Sequence, residues 1–448
     1  MRKKLFLFRK LFGKHRFRGF TLTELLVALV VSSIILASLL FFTTSLVTTN
    51  RDEEAKATTQ EEITAALNFI ANDLQESVFI YGAYALEKNS TDNPPGIADQ
   101  IPYGSSTPAT GVQARDTDRR PILAFWKRNY YDAEYSADSF KTASGVERKV
   151  KCLPHPYGTS TENCFGHSKF LYSLVVYYLI KDNDSDWSDT ARIARWEIRD
   201  GIRWSCVDTS TAAQTDPTKC PTEDGSPSDN PRYVVPPSPG FKLFSTTGAG
   251  SLAEKMNRWT KGSGSGSTYN LSTNPLRMLL DFVDDTPYYT QFDDGTSVNL
   301  IKIAARRNNP NPKLEPPEEI IPINPDCDSP DKGVGVPNAG AGDDQRAFAE
   351  RVPETFTETG SENNVYRLSS FYACIANFGN PNQTVARVWI RGNPRARFLL
   401  NTAIRKQEIK SKVESCNASP VGKPCSPVDS YFITGDIRVL GRGQFKLE

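Results

Sequence analysis

The sequence predicts an α+β protein in which a long N-terminal helix, apolar in its first half and amphipathic in its second, packs on an antiparallel β-sheet with long irregular insertions outside. Three observations carry this. Leu25 to Asn50 is a run of 26 residues without a single charge. Directly after it, Ile63, Ala66, Leu67, Ile70, Leu74 and Val78 recur at three- and four-residue steps, and no proline interrupts Phe20 to Ile80. Further on, several short runs rich in β-branched and aromatic residues stand between stretches of Pro, Gly, Asp, Asn and Ser.

The apolar run comes first. At the rise of an α-helix it is about 39 Å long, more than the roughly 30 Å of a hydrocarbon core, so residues 20–48 can span a membrane. One carboxylate, Glu24, stands at the start of this run. An ionised side chain there costs a few kcal/mol in lipid, which calls for a cation nearby or a function. The amphipathic half continues the same helix, giving about 60 residues, 20–80, or roughly 90 Å. Its apolar stripe needs a partner surface, and a sheet is the natural one.

The strands follow in order. Pro121 to Tyr131 reads as one, and Phe170 to Ile180 with Ala191 to Arg199 reads as a β-hairpin about a polar turn. Leu368 to Phe378, Gln383 to Gly392 and Ser430 to Leu440 complete the set. Between them, the compositions near residues 82–120, 205–270 and 308–362 predict disordered insertions unable to hold a core, among them G-S-G-S-G-S. With 448 residues, 38% hydrophobic content, 30 Pro and 29 Gly, residues 81–448 are expected to form one β-rich globular head.

Charge and cysteines set the compartment. The first 19 residues hold Arg2, Lys3, Lys4, Arg9, Lys10, Lys14, Arg16 and Arg18 and no acid, a cluster that stays on the cytoplasmic side and sends everything after the apolar run outward. Without these eight residues the formal charge moves from +1 to −7, which argues against nucleic acid as the principal ligand. All eight cysteines, Cys152, Cys164, Cys206, Cys220, Cys327, Cys374, Cys416 and Cys425, lie beyond the apolar run. An even number in an oxidising compartment reads as disulfides, and local pairs such as Cys152 with Cys164, Cys206 with Cys220 and Cys416 with Cys425 would staple loops.

Candidate chemistry is sparse. Cys152, His155, Cys164 and His167 form a C-x2-H…C-x2-H pattern of zinc-ligand types, set against a Cys152 to Cys164 disulfide, which the exported location favours. Asp182, Asp184, Asp186 and Asp189 alternate in a hairpin turn as calcium ligands do, but the turn glycine and the closing Glu are missing, and a solvated acidic turn is the simpler reading. No cofactor is called for. With only His15, His155 and His167 a catalytic triad lacks parts, and no phosphate-binding glycine loop follows a strand, so no enzyme activity is predicted. Trp126, Tyr130 and Tyr131 lie in a strand, where aromatics are usually core, though an exposed trio would suit a sugar ring.

The start of the run, G-F-T-L-T-E-L-L-V-A-L, resembles the processing signal of type IV prepilins and pseudopilins. The resemblance implies a pilin-like fold, cleavage by the prepilin peptidase between Gly19 and Phe20, methylation of the Phe20 amine, and a Glu24 carboxylate that neutralises the Phe20 ammonium of a neighbouring subunit. It also implies other pilins, an inner-membrane pilus assembly platform and membrane lipid as partners. Ala66 to Val78, with Asp73 and Leu74, resembles the helix end of larger minor pilins and J-type pseudopilins. Over about the first 200 residues, and again at Val388 to Asn393, the chain is similar to cyanobacterial pseudopilins of hormogonium polysaccharide secretion.

The expected role is therefore a minor structural subunit of a type IV pilus-like machine that supports polysaccharide secretion and gliding. A minor pilin priming ordinary pili for motility or DNA uptake is the second reading. A membrane-anchored glycan- or metal-binding protein that never assembles is the third.

Overall fold

The computed structural model describes residues 21–102, 117–131, 140–141, 147–148, 169–200, 202–203, 233–235, 238–262, 271, 274–287, 290–291, 297–298, 327, 350–354, 356–357, 364–377, 384–399, 404–405, 407–408 and 432–441. The chain divides into two units, residues 1–54 and 55–448. One helix, α1 (Leu22–Gln75, 54 residues), contributes to both.

In the first unit residues 21–51 are all exposed, although 17 of the 23 side chains from Leu25 to Val47 are apolar and the rest are Ser or Thr. In the second unit the same helix buries Ala55, Thr59, Ile63, Ala66, Leu67, Ile70, Ala71 and Leu74, a stripe at three- and four-residue steps. The helix stops at Gln75, and Ser77–Ile80 is strand β1, whereas the periodicity carried the helix to Ile80. The reason is that all four β1 residues are buried, so Val78 joins the core from a strand while keeping helical spacing with Leu74.

Eight further strands complete the main antiparallel sheet. They are β2 (Arg119–Tyr131), β3 (Lys169–Ile180), β4 (Ala191–Arg199), β5 (Arg277–Val283), β6 (Glu350–Val352), β7 (Phe371–Asn377), β8 (Thr384–Gly392) and β9 (Ile433–Leu440). Their order is β1-β2-β3-β4-β5-β8-β7-β6, with β9 paired along β8. The β3–β4 hairpin falls where the sequence puts it, with Ser173 opposite Arg199 and Ile180 opposite Arg192. Strand β5 is not legible in advance, since R-M-L-L-D-F-V does not alternate and its pairing with β4 is broken by register shifts. It meets β8 only at Val283 opposite Gly392, and there Arg391 holds the buried Asp284 at 2.8 Å.

Two glycines let α1 approach β8 and β9. A Cβ on Gly392 would lie 2.7 Å from Thr59 Cγ2, and one on Gly435 would lie 2.6 Å from Ile63 Cγ2. Gly392 is paired with Ile433, two residues from Gly435, so the two glycines share one face of the sheet beneath Ile63.

The other face is covered as well. Lys127 and Trp126 are neighbours on β2 and point to opposite faces. Lys127 reaches Asp73 of α1, while Trp126 packs edge-on against Phe244 at 4.9 Å and Trp259 at 5.6 Å. This corrects the expectation for residues 205–270. The part at 238–262 carries α3 (Leu252–Asn257), opened by a Ser251/Glu254 capping box, and buries Phe244, Met256 and Trp259. Trp126 Nε1 donates to Tyr81 Oη at 2.9 Å, and Tyr81 Oη donates to the Met256 carbonyl at 3.2 Å. Residues 82–102, within the insertion expected near 82–120 to be disordered, likewise contribute to the core. They form α2 (Ala83–Glu87) and bury Leu86, Ile97 and Ile101, with Asp99 accepting from Ser90 N and Oγ, each at 2.7 Å. Residues 103–116, 204–232, 263–270 and most of the insertion at 308–362 lie outside the described residues.

Candidate assembly site

The helix start is built by its own first turn. Thr21 precedes α1, and its backbone N and Oγ1 both donate to Glu24 Oε2 at 3.0 Å, while Glu24 N donates to Thr21 Oγ1 at 3.3 Å. This is a capping box: two orphan N–H groups are met by the side chains of Thr and Glu three residues apart. The T-x-x-E pattern of Thr21 and Glu24 is the sequence signal for it.

The first half of α1 is suited to lipid or to other helices in a second way. Ser33, Ser38, Thr43, Thr44, Thr48 and Thr49 donate their hydroxyls to carbonyls three or four residues back, at 2.7–3.1 Å. No water is needed to satisfy them, which is the condition for polar side chains in a membrane segment. Among the described residues this is the one helix long and apolar enough to cross a membrane.

At the head end, Asp73 ties α1 to three consecutive strands. Its Oδ2 accepts from Arg195 Nε on β4 and from Tyr177 Oη on β3, each at 2.7 Å, and its Oδ1 accepts from Lys127 Nζ on β2 at 2.9 Å. Glu76 holds the same Lys127 at 2.8 Å, and Glu197 holds Arg195 Nη1 at 2.7 Å. Burial alone would raise the Asp73 carboxyl, but the Arg195 charge and the donated hydrogen bonds outweigh it and hold the group below the ordinary carboxylate value. Burial would also lower the Lys127 ammonium, and its bonds to Asp73 and Glu76 reverse that. Tyr177 is pushed up, first by burial and then by the adjacent Asp73 charge.

Further out, Arg397 donates to Thr59 Oγ1 at 2.9 Å and pairs with Glu62 on α1, and its guanidinium sits 4.4 Å over the ring of Phe282. Phe282 has φ +55°, a left-handed conformation that is strained for an aromatic residue.

Gly19, Phe20, Cys152, His155, Cys164, His167, Cys206, Cys220, Cys416 and Cys425 lie outside the described residues. Cys327 and Cys374 form a disulfide with a Cα separation of 5.7 Å, joining a segment remote in sequence to β7. In the acidic turn, Asp182 pairs with the buried Arg192 at 2.6 Å, Asp184 lies 3.7 Å from the same guanidinium, and Asp189 pairs with Arg405 at 3.0 Å. A guanidinium thus stands where two of the calcium-type ligands converge. Among the described residues no group of three or more His, Cys, Asp or Glu is placed to hold a metal. Trp126 is fully buried, so it offers no sugar platform.

A family model described as the prokaryotic N-terminal methylation motif matches residues 14–40. That span takes in the end of the basic segment, Thr21, Glu24 and the first part of α1. The match supports the type IV pilin and pseudopilin class, and with it processing by a prepilin peptidase and assembly with other pilins. No curated protein and no solved structure matches the chain.

Proposed function

We propose that this chain is a minor, non-catalytic subunit of a type IV pilus-like assembly. The observation that carries the reading is the methylation motif at 14–40 leading without a break into a 54-residue helix, exposed and apolar in one unit and bound to a sheet in the other. The basic leader stays in the cytoplasm, and the head lies outside the inner membrane. The Cys327–Cys374 disulfide agrees with an oxidising compartment for the head. The peptidase cuts between Gly19 and Phe20 and methylates the Phe20 amine. Glu24 then pairs with the Phe20 ammonium of an adjacent subunit as Leu25 to Val47 docks among other pilin helices on the assembly platform.

The finer assignment is to a machine that exports a polysaccharide and supports gliding, with this large head at the tip or in the priming complex rather than in the repeated shaft. Its support is the sequence resemblance over the first 200 residues, together with a head too bulky for a close-packed repeat. The test is deletion of the gene, scoring surface pili by electron microscopy and secreted polysaccharide by lectin staining in the same cells. Pili retained with polysaccharide lost is the expected result. Loss of both marks a general pilus-priming subunit, and no change in either overturns the assembly reading.

A further inference from the structure

We draw no further inference here: the strongest candidate, the open apolar groove of about 460 Å³ between Glu62, Ala65 and Phe69 of α1 and Leu279 to Phe282 of β5, carries nothing because nothing in the structure shows what covers it.

Discussion

Replacing Glu24 by Gln keeps an acceptor for the Thr21 N–H and hydroxyl while removing the charge, whereas Glu24→Ala removes both. Thr21→Val removes the hydroxyl alone. The expected pattern is that all three are processed, that Glu24→Gln and Glu24→Ala fail to enter sheared filaments, and that Thr21→Val still enters them with a helix start weakened by about 1 kcal/mol. Immunoblots of membrane and filament fractions check this, and a Glu24→Gln subunit that assembles normally sinks the charge-neutralisation argument. At Asp73, substitution by Asn removes the carboxylate that Arg195 and Lys127 share and leaves each with one, Glu197 and Glu76, so a loss of about 1.5–3 kcal/mol is expected, the range for hydrogen bonds to a charged group. Because the Asp73 carboxyl titrates below its unfolded value of about 3.9, its contribution is fully present above that value and is lost as pH falls through the lower folded one. Denaturation of the detergent-solubilised protein between pH 6 and pH 2 should show a slope that Asp73→Asn flattens (roughly the range set by carboxylate titration). Glu24 and Asp73 are visible in the sequence, but Lys127, Tyr177 and Arg195 are not legible as partners, since they come from three strands whose register only folding decides.

For the elements, the close approach of α1 to β8 and β9 is sensitive to one added methyl. Gly392→Ala or Gly435→Ala forces Ile63, Thr59 or the strands to move, at about 1–3 kcal/mol each. The two act on the same Ile63, so the double variant should cost less than the sum, and Ile63→Ala should soften Gly435→Ala. Thermal unfolding of the three single variants, the double glycine variant and Ile63→Ala combined with Gly435→Ala checks both statements. The strands that alternate, or that run apolar under cover on both faces, are legible; Ala191–Arg199 is observed at its expected bounds. The covering segment at 238–262 is not legible. Its burial rests on Phe244, Met256 and Trp259, too few and too unevenly spaced to make a period, in a sequence that continues into G-S-G-S-G-S. Trp259→Ala should therefore destabilise by about 3–5 kcal/mol, where a linker tryptophan would change nothing measurable.

For the whole molecule, the Cys327–Cys374 bond closes a loop of 47 residues and is expected to contribute about 4 kcal/mol through the unfolded chain. Unfolding with and without reductant measures it, with Cys327→Ser as the control that reductant no longer affects through this pair. On the proposed reading this subunit stands in a filament, and the Asp73 clamp then bears on how a pull along α1 is shared. The polypeptide leaves α1 straight into β1, a four-residue strand at the end of the sheet order. If that were the only attachment, a pull on the anchor would unzip β1 from β2 one pair at a time. With Asp73 gripping β2, β3 and β4 just before the helix ends, the pull is divided among three strands of the core, and the head resists being stripped from its stalk.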